Sequence, residues 1–300
     1  MTAALPEGAC DCHVHVVGPA TRFPFLADRP YTPADATYAM LQERMRGLGI
    51  DRTVIVQPSF YGTDNRCTLD ALAQFGPAAR GVAVVAPDIG PAARGVAVVA
   101  PDIGPAALDG LHQAGVRGLR VNLASNANAA LDGARDSLAQ AAGQCARNGW
   151  HIQIYATPAL LSPLLPDLAR LGVPVVVDHF GLAPTDLAHP YVAALVQALR
   201  HGPLWLKLSA PYRLDADAGS ITRLARHLTQ AAPGRMLWGT DWPHPPVHSG
   251  RPEPGAPPRP YRAIDGHALL RMTQDWFPSP AVRRQVLTDN PARLYDFAPG

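Results

Sequence analysis

The sequence has few cysteines, few charges and no long apolar run. Its 300 residues include 4 cysteines, at positions 10, 12, 67 and 145, which are too few and too irregularly spaced for a disulfide framework. Charged residues make up 17% and the net charge is +2, so nucleic acid would find no basic surface. No apolar run approaches the roughly 20 residues that cross a bilayer, and no basic-then-apolar leader opens the chain. We therefore expect a cytoplasmic protein with free thiols that binds neither nucleic acid nor membrane.

What the sequence has instead is a regular alternation of short β-branched runs and longer Ala/Leu/Arg-rich stretches. This alternation is typical of a parallel sheet covered by helices. A closed (β/α)8 TIM barrel uses eight strands. We therefore expect a single TIM-barrel domain over residues 1–300, although nine segments qualify as strands: 9–14, 53–57, 82–86, 96–100, 118–122, 151–155, 173–178, 204–208 and 236–239.

The surplus strand lies in a duplicated stretch. The fourteen residues PAARGVAVVAPDIG occupy positions 77–90 and recur without a mismatch at 91–104. A recent tandem duplication in the gene and an error in the recorded sequence both account for this identity. We expect the first copy to supply strand three, because its short link from the preceding helix matches usual connections, and the second to extend the loop before a helix at 106–114.

Polar residues end several of the predicted strands. Residues i and i+2 of a strand share a face, so His13 and His15 are expected to meet at the barrel mouth while Cys12 and Val14 face the outer helices. A strand near residue 177 runs into His179, and another near 239 runs into Asp241. A buried apolar run that stops at such groups loses stability unless they are paired or functional, which favours a shared site.

These strand ends give the chain its resemblance to a known family. The motifs that carry the resemblance are CDCHVHVVGP, VIVQPSFYGTDN, GLRVNL, VVVDHFG, WLKLSAPYRL, LWGTDWPHP and DNPARLY. Through them the sequence resembles the amidohydrolase superfamily, in particular amidohydrolase family 2 and its branch of TIM-barrel lactonases that includes 2-pyrone-4,6-dicarboxylate lactonase. The resemblance implies hydrolysis of a ring ester. Asp241 would act as general base on water, and His13, His15 and His179 would hold the carbonyl oxygen.

The resemblance also bears on metal content. Two-metal members of the superfamily carry a bridging Lys or Glu at the fourth strand end and a His at the fifth, where this chain offers Arg120, Asn122 and Tyr155. We expect no required cofactor. The alternative is one divalent metal such as zinc, since imidazole and carboxylate groups suit that ion. Its four candidate ligands are His13, His15, His179 and Asp241.

Arginines near two strand ends indicate the substrate. The forked guanidinium groups of Arg120 and Arg213 match a carboxylate, or else form salt bridges to a barrel Asp. By resemblance, Arg120, Arg213, Tyr155 and Ser59 occupy positions that grip substrate carboxylates, and His244 is expected to wall the pocket beside Asp241. The dicarboxylate lactonase has a further Arg after its fourth strand, where this chain reads LASNAN at 123–128. We therefore expect a small anionic lactone with one carboxylate or a differently placed anionic group.

Two other interpretations stay open. A zinc-dependent decarboxylase or hydratase of the same superfamily would use the same histidines and Asp241, whereas a catalytically silent binding protein would not need them. The Pro-rich stretch at 243–260 excludes regular structure, and its place after the eighth strand predicts a stiff lid over the barrel mouth.

Overall fold

The computed structural model describes residues 4–29, 31–85, 103–123, 131–246, 252 and 256–298. Within these residues eight parallel strands form one sheet in chain order, from β1 to β8, as the alternating pattern predicts. The strands are β1 (Cys10–Val14), β2 (Arg52–Val56), β3 (Ala79–Ala83), β4 (Val116–Asn122), β5 (His151–Tyr155), β6 (Val175–Val177), β7 (Leu204–Ser209) and β8 (Met236–Gly239).

Helices surround the sheet on the outside. They are α1 (Tyr38–Leu48), α2 (Arg66–Phe75), α3 (Pro105–Gln113), α4 (Leu131–Ala146), α5 (Pro158–Leu161), α6 (Leu165–Leu168), α7 (Pro190–His201), α8 (Ala218–Ala231), α9 (Gly266–Trp276), α10 (Pro280–Arg284) and α11 (Asn290–Tyr295). A π-helical turn, Gln285–Asp289, joins α10 to α11. No helix in the described part of the chain is long and apolar enough to span a membrane. This arrangement of eight strands within a ring of helices is the (β/α)8 barrel.

The first copy of the duplicated stretch supplies β3, as predicted, but the strand is Ala79–Ala83 and not 82–86. β3 pairs with β2 through Thr53–Ala79 and with β4 through Ala83–Leu119, so this copy sets the register of the barrel. The candidate strand at 96–100 lies outside the described residues. α3 begins at Pro105, directly after the second copy.

The core has two layers because alternate strand residues point to opposite faces. The outer layer packs residues such as Ile55 and Val177 against the helices. The inner layer fills the barrel with residues that include Val54, Val56, Val176 and Leu237. Such burial on both faces explains why the strands are near-continuous apolar runs.

Cys12 corrects one expectation. It packs in the inner layer with Cys10 and Tyr295, not against the outer helices. The reason is an irregularity in the β1–β2 register between Asp11 and Val14, which interrupts strict alternation. Cys12 and His13 therefore both reach the barrel interior.

Candidate active site

Four polar side chains meet at the carboxyl end of the barrel. His13 lies one residue before the end of β1 and His15 directly follows the strand. His179 and Asp241 sit in the turns after β6 and β8, and all four residues are buried. The backbone is left-handed at His179 (φ 52°) and at Asp241 (φ 60°). Residues other than glycine seldom adopt this conformation, and where they do they cluster at functional sites.

The three imidazoles converge on a single oxygen of Asp241. Asp241 Oδ1 lies 3.6 Å from His13 Nε2, 3.3 Å from His15 Nε2 and 3.9 Å from His179 Nε2. Neither Asp241 Oδ1 nor His13 Nε2 has a hydrogen-bond partner within the described residues. The structure thus brings together the four residues that the sequence placed at strand ends.

The ring nitrogen that faces away from Asp241 restricts which nitrogen of each imidazole carries the proton. His15 Nδ1 lies 2.7 Å from the carbonyl oxygen of Val56. Because a carbonyl only accepts hydrogen bonds, His15 Nδ1 carries a proton, and a neutral His15 turns a bare nitrogen lone pair towards Asp241. His179 Nδ1 pairs with Ser209 Oγ at 2.8 Å, where the hydroxyl either donates or accepts.

His13 is held by a second buried group of charges. Its Nδ1 lies 3.1 Å from Asp178 Oδ1 and 3.4 Å from Lys207 Nζ. Lys207 Nζ also donates to Gln153 Oε1 at 2.6 Å and lies 3.5 Å from Asp178 Oδ1, and Gln153 Nε2 donates to Asp178 Oδ2 at 3.0 Å. Burial lowers the pKa of His13 to about 4, although Asp178 opposes this shift. His13 is therefore neutral near pH 7.

The other oxygen of Asp241 is fully occupied. Oδ2 accepts hydrogen bonds from the Tyr212 hydroxyl at 2.7 Å, from Arg213 Nη2 at 2.7 Å and from Arg213 Nε at 3.0 Å. Burial alone would raise the pKa of Asp241, but the Arg213 guanidinium and the neighbouring imidazoles hold it well below its usual range. Asp241 is thus ionised, with only Oδ1 free to take part in chemistry.

The same residues offer a place for a metal ion. Two groups have donor atoms close enough to share one ion: His13, His15 and Asp241, and His13, Asp178 and His179. Nitrogen and carboxylate donors at such spacing suit zinc, and the two partnerless atoms named above are the kind that a cation would satisfy. The donor set therefore fits one divalent cation.

A cavity of about 490 Å³, open solvent included, adjoins these groups. Of the predicted binding residues, Arg120, Arg213, Tyr155 and Ser59 line it, while His244 is absent from the lining. His244 is buried and its Nε2 lies 3.0 Å from Arg44 Nη2, because the turn after Asp241 directs it towards α1.

The two arginines differ in their contacts. Arg213 forms the salt bridge to a barrel Asp that the sequence left open as an alternative. Arg120 donates from Nη1 to the Gln57 carbonyl oxygen at 3.1 Å, and its Nη2 lies 4.0 Å from Asp178 Oδ2. Arg120 is therefore the less tightly paired of the two.

Most of the LASNAN stretch lies outside the described residues, and so do 247–251 and 253–255 of the predicted lid. Pro243 and Pro245, at the start of that predicted lid, line the cavity.

Three tyrosines near the cavity were missed from the sequence. Tyr31 and Tyr261 line it, and Tyr212 holds Asp241. Burial and the charge of Asp241 raise the pKa of Tyr31. The long connection between β1 and α1, which leaves the mouth of the barrel and carries Tyr31, was the available signal.

Several known proteins are similar to this chain over almost its whole length. The profile of the Amidohydrolase family matches residues 10–297. The chain is 34% identical to 2-pyrone-4,6-dicarboxylate hydrolase of Comamonas testosteroni over 97% of this chain and 91% of that protein. It is 32% identical to 4-sulfomuconolactone hydrolase of Hydrogenophaga intermedia, over 97% and 89%. A solved structure of a putative 2-pyrone-4,6-dicarboxylic acid hydrolase from Pseudomonas putida superimposes with a TM-score of 0.77 at 28% identity, covering 99% of this chain and 100% of that one.

Proposed function

The chain belongs to the amidohydrolase family, and from that premise we propose that it is a hydrolase that opens a small lactone bearing an anionic group. One observation carries the proposal: an ionised carboxylate oxygen, Asp241 Oδ1, faces three imidazoles at the edge of a cavity that Arg120 lines. Relatives named as hydrolases of two anionic ring compounds support the same reaction class.

In the proposed reaction Asp241 is the general base. Its Oδ1 accepts a proton from water as the water oxygen bonds to the lactone carbonyl carbon. The ring C–O bond then breaks, and the departing ring oxygen takes up that proton. Arg120 and Tyr155 bind the anionic substituent, and Ser59 adds a hydroxyl to the same wall of the cavity. The product is a single open-chain hydroxy or keto acid that carries one more carboxylate than the lactone.

The histidines must stabilise negative charge on the carbonyl oxygen. Because His15 Nδ1 donates to Val56, its Nε2 can donate only when His15 is an imidazolium. A divalent cation held by His13, His15, His179 and Asp241 would remove this requirement, since when bound it supplies Lewis-acid chemistry. Neutral His179 can donate from Nε2 when the Ser209 hydroxyl donates to its Nδ1, so the reaction also has a metal-free form. The metal-dependent decarboxylase or hydratase stays the second candidate function, because it would use the same donor set.

The test is a substrate panel followed in a pH-stat, because ring opening at neutral pH releases a proton. We expect turnover of carboxylated lactones and none of open-chain enol acids. Arg120→Met should raise KM for anionic lactones about tenfold or more and leave neutral ones nearly unchanged, because only the former lose a charge-assisted pair. Turnover of enol acids alone would refute lactone hydrolysis, and equal losses for both lactone types would refute the role of Arg120.

Metal analysis completes the test. Stoichiometric zinc in the purified protein, with activity lost on chelation and regained on adding zinc, would show that the reaction depends on zinc. Full activity in metal-free protein would leave the imidazoles, with His179 Nε2 as a donor, as the groups that polarise the carbonyl.

A further inference from the structure

β1, which carries His13, and β8, which Asp241 follows, adjoin at the seam of the barrel. Ladders of paired residues join each pair of neighbouring strands from β1 through to β8. At the seam, the backbone hydrogen bonds of the described residues lie beyond the ladders, at the mouth: Asp241 N to His13 O and His15 N to Trp242 O, both 2.8 Å. The alignment of the two strand ends therefore depends on whatever fills the seam below these bonds.

The side chain of Asp11 fills it. Asp11 Oδ1 accepts from the backbone N–H of Thr240 at 2.9 Å and from that of His13 at 3.1 Å, and Oδ2 accepts from Thr240 Oγ1 at 2.6 Å. Thr240 Oγ1 in turn accepts from Trp242 N at 3.1 Å. Asp11 and Thr240 are almost inaccessible to solvent, at 3% and 0% exposure. Side-chain bonds thus take the place of a backbone ladder across the seam.

The two strands approach so closely that position 239 has no room for a side chain. A Cβ placed on Gly239 would lie 2.8 Å from both the Cβ and the backbone nitrogen of His13, and 3.2 Å from Asp11 Oδ1. Backbone nitrogens buried in such a gap need an acceptor, since an unpaired buried N–H group is costly. A carboxylate supplies it. Burial raises the pKa of Asp11 to about 6, and the hydrogen bonds from Thr240 and His13, with the charge of Arg44 on α1, oppose that rise.

We propose that Asp11, acting with Thr240, is a positioning residue that sets the separation of His13 Nε2 from Asp241 Oδ1. Asp11 is not among the residues that line the cavity, so it acts through the backbone on either side of the seam. The inference rests on the proposed function for its kinetic consequence, and on the structure alone for its geometric one. A displacement of about 1 Å at reacting groups can cost about a hundredfold in rate, so this control matters.

The variant that tests it is Thr240→Val, which keeps the size of the side chain and removes the hydroxyl. We expect kcat to fall about tenfold or more while KM changes less than about twofold, because Arg120 and Tyr155 lie away from the seam. Thr240→Ser retains the hydroxyl and should restore most of kcat. The matched control is Thr229→Val on α8, which removes another buried threonine hydroxyl, one with no hydrogen-bond partner among the described residues.

Crystal structures of the wild type and Thr240→Val give a second readout that needs no substrate. We expect the His13 Nε2 to Asp241 Oδ1 separation to change by about 0.5 Å or more. Should the wild type open no lactone, the proposed function fails while this distance still decides the inference. An unchanged distance, or equal kcat in Thr240→Val and Thr229→Val, or a Thr240→Ser as impaired as Thr240→Val, would overturn it.

A second variant guards against an insoluble Thr240→Val. Asp11→Asn keeps the shape and one acceptor oxygen but puts an N–H donor opposite Thr240 Oγ1, where Oδ2 now accepts. We expect a severalfold loss of kcat and a shift of the same distance. If a folded Asp11→Asn variant had the wild-type kcat and the wild-type separation of His13 Nε2 from Asp241 Oδ1, the inference would likewise be overturned.

Discussion

Replacing Asp241 with asparagine tests the proposed proton acceptor. The amide is nearly the same size as the carboxylate, and its oxygen can accept the bonds that Tyr212 and Arg213 now make to Oδ2. Its NH2 group then replaces Oδ1 and faces His15 Nε2. Because an amide takes up no proton near neutral pH, the attacking water loses its base.

The size of the effect follows from these contacts. General-base catalysis contributes about 10²–10⁴-fold, so we expect kcat for an anionic lactone to fall by at least about a hundredfold. This corresponds to about 3–5 kcal/mol in the activation barrier. The variant also deprives Arg213 of a charged partner. The Arg213 side chain is 15% exposed, so we expect the free energy of unfolding to fall by only about 1–3 kcal/mol.

The assay compares kcat by pH-stat and unfolding by urea for the wild type, Asp241→Asn and a control. Asp109→Asn is the control, since Asp109 pairs with Arg147 on the surface, far from the barrel mouth. We expect the control to keep wild-type turnover. If Asp241→Asn kept more than about a tenth of kcat, another group would have to accept the proton and the assignment of Asp241 would be wrong.

Three further predictions concern the barrel. Lys207→Met should lower the free energy of unfolding by about 3–5 kcal/mol, because buried Asp178 loses its cation. The double variant Lys207→Met/Asp178→Asn should recover part of that loss. If the two single losses simply added in urea unfolding, this reasoning would be contradicted. Burial lowers the pKa of His151 to about 3, so the unfolded state binds the proton first and stability falls as pH drops from about 6.5. His151→Phe should reduce that slope by up to about 1.4 kcal/mol per pH unit in urea titrations, and an unchanged slope would show that His151 is protonated in the fold. Deleting residues 91–104 should leave a soluble, active protein, since the first copy supplies β3; an insoluble or inactive product would make the second copy part of the fold.

The barrel and its four strand-end residues were predictable because they depend on local patterns. Apolar runs of strand length, separated by helical stretches, fix the order of the sheet, and a barrel directs every strand end to one mouth. His13, His15, His179 and Asp241 could therefore be expected to meet before any distance was known. The eight-strand limit also selected one copy of the duplicated stretch as β3.

The orientation of Cys12 and the pairing of Arg213 were not predictable in the same way. Cys12 turns inward because β1 departs from regular pairing beside Asp11, whose partner Thr240 is 229 residues away in the sequence. Arg213 follows β7 in the sequence, but only the turn at Pro211–Arg213 directs its guanidinium to Asp241. Contacts between distant segments decide both cases, and a local pattern carries no information about them.

The pairing of Asp241 with Arg213 bears on how the base would work. A carboxylate whose pKa lies well below its usual range is a weak base, and the guanidinium is the chief charge that lowers this pKa. Arg213 also lines the cavity, so an anionic substituent placed there competes with Asp241 for the same N–H donors. Any hydrogen bond that shifts from Asp241 to the substrate raises the pKa of Asp241 and makes it a stronger proton acceptor. Substrate charge would then act on kcat through Arg213 and on KM through Arg120, so the two arginines separate in kinetics although both suit the same carboxylate.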